Sequence, residues 1–137
     1  MPSAPATTTF ASLQDARYIQ LTTFRKDGRA VPTPVWLAPD GETLLAFSDA
    51  TSGKVKRIRN SGRVLVAPCD GRGRTSGPAI EAIATLTDED GTRRVLDAIR
   101  RRYGLQARLL QWIAELRRSN AQKQIGIVIR PVEAEAA

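Results

Sequence analysis

The stretch SDATSGKVKRIRN, Ser48 to Asn60, decides how this chain is read. It leaves an apolar run, Leu44 to Ser48 (LLAFS), that reads as the end of a buried strand. A small-polar turn follows, then a helix start at Ser52 that carries Lys54, Lys56, Arg57 and Arg59. A strand that hands over to a helix leaves free backbone N–H groups and the positive end of the helix dipole at the sheet edge. Cations added there make an anion site, most naturally for a phosphate. The competing reading is a solvated basic helix face.

Strands surround this stretch. Residues 9–16 (TFASLQDA) read as a short helix capped by a Thr, with Phe10 and Leu13 on one face. Arg17 to Arg25 then reads as a strand rich in β-branched and aromatic residues. Lys26-Asp27-Gly28-Arg29 reads as a hairpin turn, because Asp-Gly supplies the positive φ of a tight turn. The return strand is Ala30 to Ala38, whose Pro32 and Pro34 cannot donate to a ladder and so predict an edge or a bulge. A second turn at Pro39-Asp40-Gly41 and a third strand from Glu42 to Ser48 complete an expected antiparallel meander.

Beyond the basic helix, Arg63 to Cys69 (RVLVAPC) predicts a fourth strand, followed by a Gly/Arg loop from Asp70 to Arg74 with room for a mobile flap. Gly77 to Thr87 predicts a fifth. Residues 88–118 read as helical: Val95, Leu96, Ile99 and Tyr103 form one apolar stripe, and Leu109, Leu110, Ile113 and Leu116 form a second. A break falls at Gly104. Gln124 to Val132 is the sixth strand. Six antiparallel strands with peripheral helices predict a mainly β fold, a small closed or split barrel. The 137 residues fit a single domain, with 1–8 and 133–137 as flexible ends.

Composition narrows the chemistry. The chain has no histidine and one cysteine, Cys69. That leaves no ligand set for a structural zinc site and no Ser-His-Asp or Cys-His nucleophile. An enzyme of this composition relies on a bound cofactor. The lone cysteine, an N-terminus without a signal-like n- or h-region, and the lack of a membrane-length apolar run predict a cytoplasmic protein. The net charge of +7 fits nucleic acid, an anionic small molecule or solubility alone. Stacking readers of nucleic acid interleave aromatics with basic residues. Here most of the aromatics (Phe10, Tyr18, Phe24, Trp36, Phe47, Tyr103, Trp112) sit inside apolar patterns, so nucleic acid is the remote alternative.

The motifs Asp27-Gly28-Arg29, Thr33-Pro34-Val35-Trp36, Ser52 to Asn60, and Arg63-Val64 through Ala67-Pro68-Cys69-Asp70 occur in an order and spacing that resembles the split β-barrel family containing pyridoxamine-phosphate oxidase. This FMN-binding split-barrel resemblance runs from about Tyr18 to Arg130. Within it the chain is most similar to the actinobacterial branch that binds the deazaflavin coenzyme F420.

The resemblance implies a homodimer with the cofactor in a groove between subunits. It implies that Thr33, Pro34, Val35 and Trp36 line the ring system. Phe47 and Ser48 would touch the ring or ribityl chain. Ser52, Gly53 and Lys54 would hold the phosphate, reinforced by Arg57. A spacing of three puts Lys54 and Arg57 on one helical face, and Gly53 permits close backbone approach. The oxidase branch carries a phosphate-binding arginine where this chain has Thr33, which favours F420 over flavin mononucleotide (FMN), the runner-up cofactor. Lys56, Arg59, Arg72 and Arg74 are candidates for the deazaflavin's polyglutamate tail, each also readable as a solvated charge.

The activity implied is hydride transfer between reduced F420 and a small electron-poor acceptor, with no metal. No catalytic side chain is assigned. Tyr18, Tyr103 and Cys69 are conceivable proton donors, more simply read as structural residues. The alternatives are an FMN-binding oxidoreductase of the same fold and a non-catalytic F420 carrier or sensor.

Overall fold

The computed structural model describes residues 9–103 and 124–132. Elements run in the order α1 (Phe10–Leu13), β1 (Tyr18–Phe24), β2 (Ala30–Trp36), β3 (Ala38–Asp40), β4 (Thr43–Asp49), α2 (Gly53–Asn60), β5 (Arg63–Cys69), β6 (Ile80–Leu86), α3 (Glu89–Tyr103) and β7 (Gln124–Pro131). The second helical stripe expected at Leu109 to Leu116, with Gly104 and Trp112, lies outside the described residues, as do 1–8 and 133–137.

Local chemistry accounts for most boundaries. Thr9 caps α1 in a reciprocal capping box with Ser12. The β1–β2 hairpin closes with Gly28 at φ 91, and Asp27 accepts from the Arg29 backbone N–H and side chain. Pro32 and Pro34 lie on β2, whose one ladder partner among the described strands is β1, so the missing N–H groups cost no hydrogen bond. Asp70 stitches the loop after β5 by accepting from the backbone N–H groups of Arg72 and Arg74. Gln20 anchors the same loop by donating to the Gly73 carbonyl.

One antiparallel sheet holds all seven strands in the order β2-β1-β5-β6-β7-β4-β3. Its two edge strands are consecutive in the chain: β2 ends at Trp36, β3 begins at Ala38, and Leu37 alone lies between. Neighbouring Cα atoms stand about 3.8 Å apart, so the sheet has to curl until its edges meet at Leu37. The result is the curled half-barrel of the expected split-barrel class.

The seventh strand corrects the expected six. The return strand bends at Leu37 to serve both edges, and its continuation runs through Pro39 and Asp40 rather than turning there. The turn falls at Gly41, with φ 62, and Glu42. The expected meander is also corrected. β4 pairs with β3 and with β7, in register Leu44↔Ile129 to Asp49↔Gln124, and not with β2.

Alternation along β4 and β7 builds two cores. Leu44, Ala46, Ile127 and Ile129 face the barrel interior with Ile19, Leu21, Val64 and Val66. Leu45 and Phe47 face outward under α3, against Val95 and Ile99. Each fully buried Leu or Ile contributes roughly 1.5–3 kcal/mol. No helix among the described residues is long and apolar enough to cross a membrane.

Candidate functional site

The helix start at Ser52 forms as the sequence predicts. Asp49 accepts from the Thr51 N–H and hydroxyl, the Ser52 N–H donates to the Asp49 carbonyl, and Ser52 Oγ accepts from the Val55 N–H as the N-cap of α2. Val55 and Ile58 are buried, which fixes the roll of the helix. That roll leaves Lys56 and Arg59 exposed on the far side and brings Lys54 and Arg57 toward the sheet.

Lys54 Nζ donates to Ser48 Oγ at 3.3 Å, and Ser48 Oγ lies 3.2 Å from Ser52 Oγ. Arg57 Nε donates to Thr23 Oγ1 on β1 at 2.6 Å. Side chains on a helix lean toward its N-terminus, so Arg57 folds back over Gly53. A Cβ built on Gly53 would stand 2.8 Å from Arg57 Nη1. The clearance above Gly53 is thus taken by the guanidinium.

The free donors of the cluster decide what it can hold. One hydroxyl proton serves the contact between Ser48 and Ser52, which leaves the other O–H as a donor. The remaining N–H groups of Lys54 and the Nη groups of Arg57 are donors too. Among the described residues, no carboxylate lies within ion-pair distance of either cation. Burial, and secondarily the charge of Arg57, hold the Lys54 ammonium below the usual lysine range. A lysine and an arginine side by side, set among hydroxyls at a helix N-terminus, suit an anion with several acceptor oxygens.

The other sequence-predicted residues fall elsewhere. Phe47 points opposite to Ser48 and is buried under α3 at 3% exposure, so its side chain does not join the cluster. Along β2, Val31 pairs with Thr23 and Trp36 with Tyr18. The segment Thr33, Pro34, Val35 and Trp36 therefore leads away from the Arg57 end of β1. Thr33 is half-buried, with its hydroxyl on the Leu21 carbonyl at 3.4 Å. Val35 is a core residue, Pro34 is exposed, and Trp36 packs edge-on to Tyr18 with centroids 5.6 Å apart.

Arg72 and Arg74 stand beside Tyr18, lining a shallow 440 Å³ cavity with Asp70 and Gly71. Tyr18 lies five positions along β1 from Thr23, roughly 17 Å at strand rise. The four tail candidates accordingly divide: Lys56 and Arg59 share a helix with Lys54, whereas Arg72 and Arg74 sit at the other end of β1.

Of the conceivable proton donors, Cys69 ends β5 opposite Tyr18, and burial with the nearby Asp70 charge pushes its thiol up to about 11. Tyr18 carries Trp36 against its ring and Gly71 against its edge. The side chain of Tyr103 lies outside the described residues. Sequence reasoning missed Thr23: it follows Thr22 near the end of β1, and no local signal marks it as a partner of a residue 34 positions away.

The sequence pattern of the pyridoxamine 5'-phosphate oxidase family matches residues 7–135. No curated protein matches the chain. Among solved structures, a candidate pyridoxamine 5'-phosphate oxidase from Listeria innocua is 21% identical, with 90% of each chain covered and a TM-score of 0.60. An F420 reductase is 22% identical, with 96% of each chain covered and a TM-score of 0.58. HutZ, the heme storage protein of Vibrio cholerae, is 12% identical over 88% of this chain and 84% of its own, with a TM-score of 0.62. At these identities the likeness is one of fold. With the family pattern running from end to end over a curled antiparallel sheet, the chain belongs to the pyridoxamine 5'-phosphate oxidase family.

Proposed function

We propose that the chain is an oxidoreductase dependent on the deazaflavin coenzyme F420, with the cofactor's phosphate held by Ser52, Lys54 and Arg57. The observation that carries this reading is the cluster itself: two cations with no carboxylate within ion-pair distance among the described residues, a pair of serine hydroxyls, and a capped helix N-terminus. When bound, the deazaflavin supplies two electrons together as hydride, for an electron-poor acceptor such as an activated alkene, imine or quinone. The chain's own part is to bind and orient. Lys54 and Arg57 neutralise the phosphate, Ser52 donates to it, and β2 from Thr33 to Trp36 leads from that end toward the aromatic pair Trp36 and Tyr18.

Two observations favour the deazaflavin over FMN. β2 carries no cation, and Thr33 spends its hydroxyl on the Leu21 carbonyl instead of facing a phosphate. Lys56 and Arg59 remain exposed on the outer face of the same helix, available to a polyanionic tail that leaves the phosphate over that face. The likeness of fold to an F420 reductase agrees. Three cavities of 350, 440 and 340 Å³ among the described residues are lined by other residues. A second copy of the chain closing the groove, as a homodimer, completes the proposal.

One titration tests it. Oxidised F420 and FMN are each added to the purified protein while fluorescence quenching is followed. F420 is expected to bind more tightly than FMN, and Lys54→Ala to weaken it more than Lys56→Ala. A lost charge-assisted contact is worth roughly 1.5–3 kcal/mol. Binding of neither cofactor sinks the proposal, and equal effects of the two lysine substitutions reduce the site to bulk charge.

A further inference from the structure

We infer that Thr23 is a positioning residue for the anion site, setting the way in which Arg57 presents its guanidinium. The inference rests on the reading of Ser52, Lys54 and Arg57 as a phosphate site and adds a residue from a different element. Arginine can grip an oxyanion side-on, through Nε and one Nη, or end-on, through both Nη groups. Here Nε is committed: it donates to Thr23 Oγ1 at 2.6 Å. Thr23 is fully buried at 0% exposure, so its oxygen is fixed by the sheet and shielded from water.

On the other side of the guanidinium, Nη1 lies over Gly53 in the space that a Cβ would fill. With Nε tied to β1, Arg57 is left the end-on mode through its two Nη groups. A long side chain with several rotatable bonds is thereby ordered before ligand arrives, which lowers the entropy lost on binding. The bond also ties α2 to β1, the strand that carries Tyr18 of the aromatic pair at its other end.

The test is a double-mutant cycle read against two ligands, F420 and the ribityl deazaflavin that lacks its phosphate. In the wild-type background, Thr23→Val keeps the β-branched shape but removes the acceptor. It is expected to weaken F420 about tenfold and to leave the phosphate-free ligand unchanged. Thr23→Ser, which returns the oxygen, recovers most of the loss. In an Arg57→Ala background, Thr23→Val has no further effect on F420. The inference is overturned if Thr23→Val weakens both ligands alike, if it costs the same with Arg57 absent, or if Thr23→Ser fails to recover affinity. Failure of the phosphate reading looks different: Arg57→Ala itself then leaves F420 and the phosphate-free ligand equally bound.

Discussion

At Lys54 the fold works against the charge that a ligand needs. Burial and the neighbouring Arg57 hold its pKa below the usual 10.5, so the folded state gives up this proton before the unfolded chain does. Between those two values the unfolded state binds more protons, and stability rises with pH through that window. Affinity for an anion moves oppositely and falls as Lys54 deprotonates. Lys54→Met is therefore expected to hold or raise the melting temperature of the ligand-free protein, to remove this part of the alkaline rise, and to weaken F420. A melting temperature that drops sharply shows the ammonium to be a net stabiliser. Gly53 makes a companion case. In Gly53→Ala the new methyl meets Arg57 Nη1 at 2.8 Å, the far end of a flexible side chain that can swing aside. Helix propensity changes by up to about 1 kcal/mol in favour of Ala, so thermal melts should show an intact fold while F420 affinity falls several-fold. Unchanged affinity means that the guanidinium position over Gly53 is irrelevant to binding.

At the scale of elements, α3 is fastened to the sheet by a small hydroxyl network at its first turn. Thr92 Oγ1 accepts from the Gly126 N–H of β7, donates to the Asp88 carbonyl and contacts Thr87 Oγ1. Gly126 leaves space for this, since a Cβ there would stand 2.7 Å from Thr87 Oγ1 and 2.8 Å from Val95 Cγ2. Thr92→Val keeps the shape but strands a buried N–H, at a cost of about 1–3 kcal/mol. Urea unfolding checks this, and a midpoint equal to wild type shows that the N–H finds another partner. The helix itself was legible from the Val95, Leu96 and Ile99 stripe, and α2 from its start at Ser52. Its attachment was not, because the Thr92 partner lies 34 residues away on β7.

For the whole molecule, closure of the sheet turns on Leu37. Its side chain is fully buried, and its carbonyl, at the break between β2 and β3, accepts from Arg102 Nη1 of α3 at 3.0 Å. Leu37→Ala removes buried volume at the seam and is expected to cost about 2–5 kcal/mol. Calorimetry should show a lower melting temperature with cooperativity kept, and a loss below about 1 kcal/mol means that the edges close without it. Local chemistry along the chain determined the hairpin at Asp27-Gly28, the edge placement of Pro32 and Pro34, the Ser52 cap and the mainly β class, because each depends on residues a few positions apart. The meeting of the sheet edges, the insertion of β7 between β6 and β4, the separation of Arg72 and Arg74 from Lys54, and the pairing of Arg57 with Thr23 were decided by tertiary structure alone. Each joins residues far apart in the chain, and the hydrophobic pattern that buries a strand face does not say which strand will lie beside it.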